Sequence, residues 1–156
     1  MDSYSFRPSC KALIVQDGRL LTLRKVDSNG TFNFLPGGGQ RWGEPLLEAL
    51  RRECKEEINA DHLEIVRFAF LRESYRIKDG ITDGQYYHKL EYIFQCKVDL
   101  SEIGPGPSPD TGQIGIELID LATIETSDFY PAGLKPYIRK CWEGEEFPDI
   151  HLGVID

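Results

Sequence analysis

The sequence has no surplus of positive charge. Its 18 Lys and Arg face 26 Asp and Glu, a net charge of −8, and the basic residues nowhere gather into a stripe. General nucleic-acid binding is therefore not expected, because it depends on neutralising many phosphates. No apolar stretch reaches the roughly 20 residues that a membrane-spanning helix needs. The N-terminus, MDSYSFRPSCKALIV, lacks a basic start leading into a long apolar run, so no signal peptide is expected and the chain reads as cytoplasmic. Cysteine is sparse: Cys10, Cys54, Cys96 and Cys141 show no Cys-x-x-Cys or zinc-type spacing. The first three fall in apolar-periodic contexts and read as small core residues of a reducing compartment, with Cys141 left open. There is no internal repeat and no linker, so the 156 residues are expected to form one domain, 1–156.

What the chain does have is a glycine cluster running into an acidic helix. Gly37, Gly38 and Gly39 lie in a loop closed by Gly43, followed by LLEALRRECKEEI. A helix advances about 100° per residue, so with Leu46 at zero, Leu50, Cys54 and Ile58 fall at about 40°, 80° and 120°. Glu57 falls at about 20°, inside that apolar arc, and Glu53 sits just outside it. Glu56 extends the acidic cluster. Glu53 with Glu57 and Glu53 with Glu56 are like-charge pairs, each unfavourable by roughly 0.2–0.5 kcal/mol even in water. A core-facing carboxylate costs more unless it is paired or bound to a metal. From the charges alone, a solvated acidic face and a site for a hard divalent cation both remain open. An oxygen-only donor set would favour Mg²⁺, with Mn²⁺ as the alternative.

The spacing is more specific than the charge. Gly38, five residues, Glu44, seven residues, then Arg52-Glu53-Cys54-Lys55-Glu56-Glu57-Ile58-Asn59-Ala60 closely resembles the Nudix box of the Nudix hydrolases. All the charged positions match. Cys54 and Ala60 are small where the pattern has bulky apolar residues, and Asn59 replaces a glycine. Asparagine is the next best residue for a left-handed position at a helix end. The resemblance implies an α+β architecture, the Nudix α/β/α sandwich with a mixed β-sheet between helices. It also implies Mg²⁺-dependent hydrolysis of a nucleoside diphosphate linked to another moiety, by attack of water at phosphorus. Glu53, Glu56, Glu57 and the Gly37 carbonyl would hold the metal, Glu44 would pair with Arg52, and Gly38 and Gly39 would face the substrate. An acid outside the box would complete the site as general base, with Asp110 and Glu91 as candidates and Glu102 behind them. Glu91 also reads as a solvent-facing strand position.

The remaining chain offers further elements and candidate substrate contacts. CKALIVQ, Asp17-Gly18 and RLLTLRK form a predicted hairpin. Arg24 and Lys25 end its second strand, as phosphate contacts or as solvated charges. A short strand runs from Phe32 to Leu35, and Trp42 stacks on a base or clamps the loop. Long strands are expected over Leu63–Ile77 and Tyr86–Leu100, with a turn at Asp79-Gly80 and Asp83-Gly84. Arg72, Tyr75, Arg76, Tyr86 and His88 are candidate cleft residues, through phosphate pairing and base stacking. A loop rich in glycine and proline, SEIGPGPSPDTGQIG, carries Asp110. It is followed by a strand over Ile114–Leu121 and a helix from near Pro131 to Trp142. The acidic tail reads as an oligomer contact, giving a homodimer, or as loose chain. The expected partner is a small nucleotide diphosphate derivative. Two rivals remain: a nucleotide-sensing module of the same fold that does not cleave, and an isoprenoid diphosphate isomerase. The isomerase would need a cysteine near the glycine loop, and none lies in sequence between Cys10 and Cys54.

Overall fold

The computed structural model describes residues 3–77, 85–146 and 149–156. The expected turn at Asp79-Gly80 and Asp83-Gly84 lies outside the described residues, as do the side chains of Arg76 and Tyr86.

Strand β1 (Ser3–Gln16) is the centre of the sheet. It begins well before the predicted hairpin because Ser3–Ile14 pairs in parallel with β6 (Gln85–Lys97) along its length. Asp17 and Gly18, at φ 50° and 71°, turn the chain into β2 (Arg19–Asp27) as the Asp-Gly signal predicts. β3 (Gly30–Phe34) pairs with β2 on one side, and β7 (Gln113–Asp120) pairs with it on the other. The glycines form a three-residue strand, β4 (Gly37–Gly39), antiparallel to β1, with Gly38 opposite Cys10 and Gly39 opposite Ser9. β5 (Glu64–Ile77) runs antiparallel to β6.

Alternation along β1 divides the interior in two. Cys10, Ala12 and Ile14 meet Ala49, Leu50, Cys54 and Ile58 of helix α1 (Leu46–Ile58) on one face. Leu13, with Phe70 and Ile93, meets Leu134, Ile138 and Cys141 on the other, where α2 (Lys135–Trp142) and a 3₁₀ turn over Leu121–Thr126 cover the sheet. The result is the mixed sheet between helical layers that the resemblance implies. All four cysteines are buried and free, Cys141 included. No described helix is long and apolar enough to cross a membrane.

The C-terminal tail is not loose over its last residues, which dock on the sheet edge. It forms β8 (His151–Val154), parallel to β5. Ile155 N–H donates to Glu73 O at 3.2 Å, and Arg72 donates through Nη1 to Ile155 O. Four residues are too few for a period to register in the sequence.

Candidate active site

Helix α1 starts at Pro45, whose missing N–H costs nothing at a helix start, and ends at Asn59 in the left-handed conformation (φ 56°, ψ 29°). Asn59 and Ala60 N–H groups return to Lys55 O and Cys54 O, so asparagine performs the turn that glycine makes in the box. This rotation places Glu53, Glu56 and Glu57 beside the glycine strand.

Glu57 is 2% exposed. Its Oε2 accepts from Gly37 N–H at 2.7 Å, and Lys11 Nζ donates to Gly37 O at 2.7 Å. Burial pushes the Glu57 carboxyl up to about 7, against the pull of Lys11 and of the Gly37 N–H. Glu53 lies against Gly38 so closely that a Cβ there would sit 2.7 Å from its carboxylate and would displace it. Arg52 joins the cluster together. Its Nε and Nη2 hold Glu44 at 2.7 and 3.0 Å, its Nη1 holds Glu53 at 2.7 Å and Glu56 at 3.2 Å, and its Nη2 also donates to Gly39 O.

The glycine- and proline-rich loop has a specific task. The last carbonyls of a helix lack internal partners. Here Ser108, Gly106 and Gly104 donate their N–H groups to Glu56, Glu57 and Ile58 O at 3.0, 3.3 and 3.2 Å. Pro105, Pro107 and Pro109 alternate with these donors, at positions where no N–H is called for. A Cβ on Gly106 would meet Glu56 O at 2.0 Å. Gln113 completes the strap: its Nε2 donates to Glu57 O at 3.0 Å and its Oε1 accepts from Asp110 N–H at 3.1 Å. Asp110 is thereby delivered to the end of α1, where Lys25 pairs with it at 3.1 Å. Partial burial raises its pKa, but Lys25 outweighs this and holds the carboxyl below its ordinary value.

Two cavities meet at Asp110. One, of about 330 Å³, is lined by Glu53, Glu56, Glu57 and Asp110 together with Gly39, Arg7, Arg41 and Arg52. The other, of about 180 Å³, lies over the α2 face of the sheet and is lined by Phe32, Phe34 and Tyr130 with Lys11, Lys25, Arg72, Lys89 and Glu91. The cations face inward although the chain as a whole is acidic.

The donor chemistry of the first cavity, carboxylate oxygens from Glu53, Glu56, Glu57 and Asp110, suits a hard divalent cation. The side chains do not yet converge: among the described residues, no three acidic, imidazole or thiol groups are placed to hold one ion together. Glu53 and Glu56 are turned to Arg52, and the Gly37 carbonyl is taken by Lys11.

The other sequence candidates separate. Glu91 is not solvent-facing but 7% exposed, bonded through Oε2 to Arg72 Nε. Burial pushes its pKa up, yet Lys11 and Arg72 more than compensate and hold it down, so it is a fixed anion. Arg72 lines the second cavity with it. Tyr75 and His88 stack at 4.3 Å on the opposite, α1-side face of the sheet, with Phe6 against His88, and line neither cavity. Arg24 is held by Asn33, Glu117 and Asp128 between strands and also lines neither cavity. Glu102 faces His62. Trp42 is fully exposed and clamps nothing. Lys11, Arg7, Gln113 and the aromatic wall had not been singled out. The one available signal was Lys11, a lone cation inside the apolar run CKALIV. Although no cysteine falls in sequence between Cys10 and Cys54, Cys10 itself lies beside the glycine strand, its Sγ 3.6 Å from Gly38 O. Burial pushes this thiol up to about 11, which leaves it inert.

A sandwich of this topology, with three glutamates of one helix set against a glycine strand, defines the class as the Nudix fold. The family model of the NUDIX domain matches residues 6–141. A nucleoside triphosphatase NudI of Salmonella heidelberg (strain SL476) is 38% identical over 92 residues, covering 54% of this chain and 63% of that protein. The same-named protein of Escherichia coli O139:H28 is 32% identical over 136 residues, covering 82% and 88%. The MutT protein structure from Methanosarcina mazei Go1 superposes with a TM-score of 0.67 at 20% identity, over 90% of this chain and 96% of that one. The chain belongs to the Nudix hydrolase family.

Proposed function

We propose that this chain hydrolyses a nucleoside diphosphate linked to a further group, a free phosphate included, with Mg²⁺ or Mn²⁺ as the required ion. The observation that carries this is the pair of cavities joined at Asp110: four carboxylates in one, and aromatic rings with cations in the other. The phosphates would lie in the first and the nucleoside in the second, where Phe32, Phe34 and Tyr130 offer faces for a base. Similarity to the NudI nucleoside triphosphatases supports a triphosphate as the linked form.

Glu53, Glu56 and Glu57 would hold the metal, which when bound neutralises phosphate charge and acidifies its water. Gly38 and Gly39 allow the backbone close to the phosphates. Asp110, at the junction, would accept the proton of the attacking water. Arg52 positions Glu53 and Glu56, and Glu91 fixes Arg72 at the floor of the second cavity. The test is phosphate or pyrophosphate release across nucleoside triphosphates and diphosphate derivatives, with Mg²⁺ and with Mn²⁺. Metal-dependent turnover of at least one such substrate supports the reading, and none with either ion removes it.

A further inference from the structure

We propose that Arg7 receives a free terminal phosphate of the substrate, so that the site favours nucleoside triphosphates over diphosphates capped by a sugar. The inference rests on the hydrolytic reading above and adds to it the feature of the substrate that is recognised.

Arg7 stands apart from the other cavity arginines. Arg52 is committed to Glu44, Glu53 and Glu56, Arg41 reaches Glu56 at 3.8 Å, and Arg72, at the second cavity, is committed to Glu91. Among the described residues no hydrogen bond or ion pair engages the Arg7 guanidinium, although it opens onto the acidic cavity. Its Nε/Nη2 edge faces Gly39, both nitrogens standing 2.5 Å from where a Cβ on that residue would be. Gly39 therefore provides the space that Arg7 occupies, and neither residue is dictated by the packing of the core.

Alternation along β1 puts Arg7, Ser9 and Lys11 on one face. Ser9 is buried, and its hydroxyl has no hydrogen-bond partner among the described residues. Ser9 lines neither cavity, so the donor left open to a ligand is the Arg7 guanidinium, which an oxygen-rich anion would complete. A terminal phosphate carries close to two charges at neutral pH and three exposed oxygens, whereas a bridging phosphate carries one charge and fewer free oxygens. Arginine's planar fork can grip either, and the doubly charged terminal group is held the more strongly.

The experiment compares the parent with Arg7→Gln and Arg7→Lys on two substrates of the same nucleoside, its triphosphate and its diphosphate-sugar. The expected result is a rise of about tenfold to a hundredfold in KM for the triphosphate with Arg7→Gln, the size of a lost charged hydrogen bond. The diphosphate-sugar should change less than about twofold, and kcat should move little. Arg7→Lys should recover part of the loss. Binding of an α,β-methylene triphosphate analogue, measured by calorimetry, should weaken in parallel with KM. Equal losses on both substrates, or no loss on either, would overturn the assignment of Arg7. A parent that cleaves neither substrate nor any other phosphoanhydride would instead overturn the hydrolytic reading.

Discussion

Arg52 grips Glu44 through two nitrogens, Nε to Oε1 at 2.7 Å and Nη2 to Oε2 at 3.0 Å, and this pair ties the loop before α1 to the helix itself. The same guanidinium spans Glu53, Glu56 and the Gly39 carbonyl, a geometry that a lysine ammonium cannot reproduce. Arg52→Lys is expected to keep the fold and lose activity by about tenfold or more. Circular dichroism and initial rates measured together check this, and a fully active lysine variant would contradict it.

The pair also sets an acid response. Hydrogen bonds from Arg52 and from the Arg41 N–H hold the Glu44 carboxyl at about 2, below its ordinary 4.5. A carboxyl whose folded value is depressed stabilises the fold above its unfolded value, and the contribution is lost as pH falls from 4.5 towards 2. The melting temperatures of the parent and of Glu44→Gln should therefore differ at pH 6 and converge as the pH approaches 2. A constant gap across that window would refute the linkage.

Glu57 has the opposite sign. Its folded value of about 7 lies above the ordinary 4.5, so the folded chain holds this proton more tightly than the unfolded one. The resulting stability is present below 4.5 and is lost as pH rises through 7. Without metal at pH 8, Glu57→Gln should melt higher than the parent while losing most activity in the presence of Mg²⁺. A variant that melts lower, or turns over as fast as the parent, counts against the role given to this residue.

Gly106 and Gln113 make the strap testable. Gly106→Ala places a methyl 2.0 Å from the Glu56 carbonyl oxygen, which no side-chain rotation relieves. The loop must lift, at a cost of about 1–3 kcal/mol in denaturant unfolding, and kcat should fall as Asp110 moves. Gln113→Ala should lower kcat with a smaller stability change. In an Asp110→Asn background that substitution should have little further effect on kcat, and additive losses would show that Gln113 does not act through Asp110.

How much of this was legible depends on the range of the interaction. The Glu44–Arg52 pair, the left-handed Asn59 and the inward turn of Glu57 all lie within one local stretch, and the box spacing determines them. Substrate contacts depend on strand faces and register. Period-2 alternation alone puts Arg72 and Tyr75 on opposite faces, so grouping them in one cleft ignored a signal already present. The pairing of Arg7 with Lys89, Ser9 with Glu91 and Lys11 with Gly37 joins strands far apart in the chain, and no local period encodes it. The tail strand β8 was hidden for the same reason.

The thiols provide a check on the core. Burial pushes Cys10 up to about 11 and Cys96 up to about 12, and it raises Cys54 well above its ordinary value. Iodoacetamide at pH 8 should leave these three unmodified in the native protein and label them all in denaturant, as mass spectrometry of the peptides would show. Rapid native labelling of Cys10 would reopen a thiol chemistry beside the glycine strand.

The α1 carboxylates are expected to hold a divalent cation, and Mn²⁺ binding followed by electron paramagnetic resonance reads this without any substrate. The parent should take up the ion, and the variant carrying Glu53→Gln, Glu56→Gln and Glu57→Gln together should not, while both remain folded. Equal uptake by the two proteins, or none by the parent, would contradict the account.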